Sequence, residues 1–223
     1  MELFPIGTIA NSSDSGTIDG ISYSFFEPNS GCNSFRQYNI LSSLFQNKVM
    51  STRKKTEPVL NIEYSYDNIF DREFRQIEHF FDNVEESLTS FYVVDFSKGQ
   101  TPSSVTVSGD DWVVAIKDTF LFSAVANYKA NRALIKYGKS WKEGTISALT
   151  TNTSITVDVE YGNLALASAN LYGMVYPIYE VYAVANSIAN LQTTVFIKDT
   201  INILDIGGWM RSGKITFTSK YKV

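Results

Sequence analysis

LNIEYSYDNIFDREFRQIEHFFDNVEESLTSFYVVDF, residues 60–96, decides how the rest of the chain is read. Leu60, Ile62, Tyr64 and Tyr66 alternate with Asn61, Glu63 and Ser65, so the apolar set shares one face of a half-buried strand. The period then changes. Phe70, Phe74, Ile77, Phe81 and Val84 recur at steps of three and four, which marks one face of an α-helix over residues 69–85. Arg72, Glu73, Arg75, Gln76, His79, Asp82 and Asn83 fall on the other face. Asn68 or Asp71 is the expected cap, because a short polar side chain accepts from the orphan N–H groups of a first turn. Phe91–Phe96 returns to a strand, and Ser97-Lys98-Gly99 ends it.

Outward from this unit, composition points to a mostly β, or α+β, protein. The chain has 223 residues, 13 Tyr and 15 Phe, and aromatics make up 14% of it. Such side chains favour pleated half-buried surfaces and contacts between chains. A net charge of −4 is not the footprint of a general nucleic-acid binder. Cys32 is the single cysteine, so no intramolecular disulfide forms, and a reducing compartment is expected at synthesis. No apolar run reaches the roughly 20 residues of a membrane span. Met1–Pro5 lacks the basic and apolar regions of a secretory signal, which predicts synthesis in the cytosol.

Residues 1–20, rich in Gly, Ser, Asn and Asp, read as an extended arm. Ile21–Phe26 is a short strand, and Phe35–Phe45 is either a helical turn or a strand. Lys98–Ser104 combines Gly, Pro and small polar residues and marks a boundary. It divides a first domain, 21–99, from a second β-rich domain, 104–223. Within the latter, Trp112–Ile116 is a strand, Phe120–Leu134 a helix or a long strand, and Gly138–Gly144 a turn. Ile146–Leu149 and Ser154–Val159 form a hairpin across Thr150–Thr153. Pro177, inside Val175–Val184, predicts an edge position, because proline cannot donate to a ladder. Ile116-Lys117-Asp118-Thr119 echoes Ile197-Lys198-Asp199-Thr200.

No constellation of catalytic residues stands out. His79, the one histidine, sits on the polar helix face, and Cys32 lacks any neighbour in sequence that lowers a thiol pKa. One His and one Cys make a zinc site unexpected, and no calcium loop or phosphate-cradling Gly pattern is present. The acidic residues of the helix lie on its wet side, where carboxylates make poor acids and bases. The expectation is therefore no enzyme, no cofactor and no metal. Lys48, Arg53, Lys54 and Lys55 form a basic cluster that can touch nucleic acid or meet Glu73, Asp82 and Glu85 on the helix of a neighbouring copy. Trp112, Trp141 and Trp209 are the candidates if the chain is instead a carbohydrate-binding module.

Within residues 61–100, Tyr64, Phe74, Ile77, Phe80, Phe81, Phe91, Val94, Asp95 and Phe96 carry a resemblance. An alternating strand, a helix with an F…I..FF face and a strand ending in Asp-Phe resemble minor tail proteins of long-tailed bacteriophages, of the distal-tail and tail-hub type. The resemblance implies a tail-tube-like β-barrel or sandwich flanked by one amphipathic helix, which packs through Phe70, Phe74, Ile77, Phe81 and Val84. It implies a structural virion protein in a hexameric or trimeric ring at the tail tip, joining the tail tube to distal components. DNA is then only cargo in the channel, and the chain inserts in no membrane. A head–tail connector or tail-completion ring is the alternative virion position.

Overall fold

A computed structural model describes residues 2–4, 7–8, 15–18, 21–24, 27–37, 40–45, 48–53, 59–84, 88–138, 140–162, 164, 173–184, 188–197 and 208–222. The strands before the helix are β1 (Glu2–Phe4), β2 (Gly7–Thr8), β3 (Ser15–Ile18), β4 (Ile21–Ser24), β5 (Gly31–Gln37), β6 (Ile40–Phe45), β7 (Lys48–Arg53) and β8 (Val59–Phe70). Helix α1 is Asp71–Asn83, and β9 (Phe91–Val94) follows it. Then come β10 (Ser104–Ser108), β11 (Asp111–Ala115), β12 (Arg132–Tyr137), β13 (Ser140–Thr150) and β14 (Ser154–Gly162). The last are β15 (Met174–Ala183), β16 (Gln192–Ile197) and β17 (Gly208–Lys222). The fold is mostly β with one α-helix among the described residues.

One hydrogen-bonded sheet runs in the order β10-β11-β14-β13-β12-β15-β17-β8-β5. Its hinge is β15. Residues 174–178 pair with β12 and residues 181–183 pair with β17 along one edge, while β9 occupies the other edge at 178–181. Strands on either side of the expected boundary at 98–104 are thus partners: β8 pairs with β17 and β9 with β15. The Gly/Pro stretch is a connection within one sheet and does not separate two sheets.

Pro177 consequently sits inside the sheet, not at an edge. A residue's N–H and C=O point to the same side of a strand, and the Pro177 carbonyl accepts from the Asp95 N–H at 2.9 Å. The donor that proline lacks therefore faces the point where β9 has ended. The Asp95 carbonyl it would have met accepts from Lys98 N instead, at 3.2 Å. No ladder bond is lost.

The expected alternation in β8 is present: Leu60, Ile62, Tyr64 and Tyr66 are buried. Asn68 then adopts φ +50°, a left-handed conformation Asn tolerates, and the register with β17 shifts between Arg211 and Gly213. Ser212 holds this bulge, accepting from Asn68 N and donating to Asp67 Oδ1, each at 2.9 Å. The extra residue returns Ile69 to the core face, where it is 1% exposed.

Helix α1 lies on β8 and β17 with Phe74, Ile77, Phe80, Phe81 and Val84 buried. Phe80 belongs to this face, because a pair of adjacent aromatics widens the apolar stripe. Phe70 does not. It is 41% exposed, as the residue that ends β8 and precedes the first helical turn. The N-terminus is also capped differently from expectation. Phe70 N–H donates to Glu73 Oε2 at 2.8 Å, the backward half of a capping box, and neither Asn68 nor Asp71 is the cap residue.

Rings from four segments meet under the helix. Phe4–Phe80 centroids lie 4.9 Å apart, Phe80–Phe91 5.1 Å, Phe81–Phe91 6.0 Å, and Phe81 stacks on Phe217 at 6.4 Å. Leu3 and Phe4 are fully buried, and β1 pairs in parallel with β9, so this part of the expected arm is core. Two consecutive apolar residues in an extended strand fill opposite faces of the sheet: Phe4 joins the rings, and Leu3 joins Val94, Leu134, Trp141 and Ile178 on the other side. Trp141 is thus a strand residue and not part of a turn. Phe35–Gln37 and Ile40–Phe45 are strand residues of β5 and β6. Residues 118–131 form a connection bridged between Phe122 and Ala130, neither a helix nor a long strand. The hairpin of β13 and β14 turns through Asn152 at φ +54°. Residues 198–200 of the four-residue echo lie outside the described residues.

Candidate functional site

The edge strand β5 is tied to the turn after β9 by a polar cluster. Asp95 follows β9 and is 1% exposed. Its Oδ1 accepts from Ser97 N at 3.1 Å, from Ser97 Oγ at 2.6 Å and from Cys32 Sγ at 3.8 Å. Ser34 Oγ and Ser97 Oγ share a hydrogen bond of 2.9 Å, and Tyr64 OH donates to Val94 O at 2.5 Å. Cys32, Ser34 and Tyr64 reach this turn because Cys32 pairs with Tyr64 and Ser34 with Ile62, which puts them on the core face.

Beside the cluster opens a cavity of about 360 Å³. Leu60, Leu121 and Tyr179 give it apolar walls, Asp95 lies within, and Ser34, Phe35, Arg36 and Lys98 line the rest. Leu121 is held by a braced loop: Ala130 N donates to Leu121 O and Ser123 N to Ala130 O, each at 2.9 Å. Phe120 N donates to Asp118 Oδ1 at 2.8 Å, and the Gln100 amide grips the Asp118 backbone from both sides. Phe120 itself stands 55% exposed at the surface.

The electrostatics suit holding more than reacting. Burial pushes the Cys32 thiol up to about 12, and the Asp95 charge adds to this, so the thiol stays protonated. Burial likewise raises the Tyr179 phenol, with Asp95 contributing, and keeps it neutral. Asp95 already accepts three donors.

A second cluster lies on the sheet face that carries Leu134 and Trp141. Arg132 donates from Nε to Glu143 Oε1 at 2.5 Å, from Nη1 to Thr145 Oγ1 at 2.9 Å and from Nη2 to Glu160 Oε2 at 3.1 Å. Its guanidinium also stands 5.0 Å from the centre of the Tyr92 ring. Glu143 is fully buried, and its Oε2 has no hydrogen-bond partner among the described residues. Burial raises the Glu143 carboxyl despite Arg132. Burial also acts to raise Glu160, but hydrogen bonds from Arg132 and Thr145 carry it below the usual range. Periodicity alone does not find this group. The available signal is charge at alternate positions of otherwise apolar strands.

The residues singled out in the sequence are scattered. Glu73 caps α1 and is half-buried, and Asp82 is exposed on the helix. Arg53 ends β7, paired with Ile40, while Lys54, Lys55 and Glu85 lie outside the described residues. His79 is exposed on α1. Trp112 and Trp141, candidates for stacking on a sugar, are 2% exposed and belong to the core. Trp209 is described only in its strand pairing, opposite Phe196. Among the described residues, no group of three or more His, Cys, Asp or Glu is placed to hold a metal ion. A scan against protein-family models finds no match to the chain, and a search of curated proteins finds no relative.

Proposed function

We propose that this chain is a structural, non-enzymatic subunit of a bacteriophage tail, one copy of a ring at the tail tip that joins the tail tube to distal components. The observation that carries this reading is the helix clamp. Of the nine positions on which the resemblance rests, Tyr64, Phe74, Ile77, Phe80, Phe81, Phe91 and Val94 lie in the core, Asp95 is a buried polar residue and Phe96 is half-buried, and the one helix among the described residues is laid on a wide antiparallel sheet. Two further features support it. Both described polar clusters engage their charged groups internally and tie strands together. Helix α1 turns Glu78 and Asp82 to solvent, where a neighbouring copy can meet them.

A ring follows when such a heterologous contact closes on itself. Native mass spectrometry and negative-stain microscopy of the purified chain test this, with three or six copies in a closed ring expected. A chain that stays monomeric at high concentration, and is absent from isolated tails by peptide mass spectrometry, refutes the reading. Its recovery from separated heads would move it to the head–tail connector.

A further inference from the structure

We propose that the outer edge of β5 takes an extended segment of a partner protein by strand addition, with one apolar side chain seated in the neighbouring cavity and acidic residues beside it. Three observations converge on this edge. First, β5 runs for seven residues and, among the described residues, pairs only with β8, so its other edge keeps a row of N–H and C=O groups unpaired by any described strand. The strand carries no Pro, and Arg36 is its one charged residue.

Second, the cavity is built around that edge. Ser34, Phe35 and Arg36 are consecutive and all line it. Leu60 lies on β8 opposite Arg36, so the recess reaches from that inner neighbour past β5 to Asp95 and Lys98 of the turn after β9. A chain added there runs past a recess walled by Leu60, Leu121 and Tyr179. The volume, about 360 Å³, is ample for one large apolar side chain. The Leu121 wall is braced by its loop's own hydrogen bonds, so little ordering is needed on binding.

Third, the charge is one-sided. Arg36 and Lys98 are both exposed and line the cavity, whereas its carboxylate, Asp95, is buried and already accepts from Ser97 and Cys32. An incoming acidic side chain finds two cations and no exposed anion among the described lining residues. This edge binds such a segment whether or not the chain forms a ring.

The test titrates the full chain with a fluorescein-labelled heptapeptide of alternating glutamate and valine with phenylalanine at its centre, read by anisotropy. Expected are saturable binding, at least tenfold weaker binding of the lysine-for-glutamate peptide, and loss of binding when one alternate set of peptide amides is N-methylated. Arg36→Glu weakens the acidic peptide at least fivefold and narrows the gap to the lysine peptide. If that variant does not fold, the two peptides give the same charge comparison on the parent. Absence of saturable binding overturns the proposal, as does equal binding of both N-methylated forms. Displacement of a bound naphthalene sulfonate dye with no need for peptide amides overturns it in favour of a small amphiphile site. Self-association in the ultracentrifuge that excludes the peptide overturns it in favour of a second copy on the edge.

Discussion

Replacing Phe81 by Ala tests the architecture at its centre. Phe81 is 1% exposed and touches rings on three other segments: Phe4 at 5.6 Å, Phe91 at 6.0 Å and Phe217 at 6.4 Å. A buried Phe removes some 150–250 Å² from water, roughly 4–6 kcal/mol at about 25 cal/mol per Å². Alanine keeps a minor part of that, but a cavity remains, because the surrounding rings belong to different strands and cannot collapse together. The loss should lie in the upper part of the ~3–5 kcal/mol range for Phe→Ala. For a chain of this length that is a fall in Tm of about 8–20 °C. Phe70→Ala, at a 41% exposed site, should cost less than about 1 kcal/mol. Thermal melts and urea titrations followed by circular dichroism measure both. If Phe81→Ala melts within a degree of Phe70→Ala, the aromatic clamp is not what holds the helix.

Arg132→Met should destabilise by ~3–5 kcal/mol at neutral pH, since it strands a buried carboxylate. Without its counter-charge, Glu143 has a folded pKa above its ordinary 4.5, so stability falls as pH rises through that window and recovers on acidification. Glu160 in the parent works oppositely: its lowered pKa gives a contribution present above 4.5 and lost as pH falls. A variant whose urea midpoint drops further in acid would contradict this. Gly162→Ala should cost at least ~1–3 kcal/mol, because φ is +126° there and a Cβ would collide with the Trp141 carbonyl; an unchanged melting curve would count against the described register of β13 and β14. Cys32 should react with maleimide at pH 8 roughly a thousandfold more slowly in the folded chain than in urea, as a thiol held near 12 demands. Equal rates would dissolve the Asp95 cluster.

What the sequence disclosed was local. The alternation at Leu60–Tyr66 and the three-and-four spacing from Phe74 to Val84 reveal a strand and a helix without reference to any partner. Phe70 misleads because it keeps the helical step while standing one residue before the helix, where the chain is still extended. Pro177 misleads because the rule for proline concerns a donor, and here that donor would have pointed at a strand that has just ended. Leu3 and Phe4 mislead because the polar stretch that follows Pro5 makes the whole segment read as an arm. The cavity beside β5 draws its lining from five separate stretches of chain, so no window of sequence contains it. Arg132 and Glu143 are nearest to being legible, as charges within apolar strands.

The bulge at Asn68 is pinned by Ser212, a residue 144 positions later in the chain. On a ribosome adding roughly 5–20 residues per second, β8 therefore waits on the order of ten seconds for the strand that completes it. During that interval its inner aromatics lack the Phe217 ring, and such an unfinished apolar ribbon invites pairing with its counterpart on a nearby nascent chain. The order of synthesis thus leaves that ribbon uncovered until the last strand emerges.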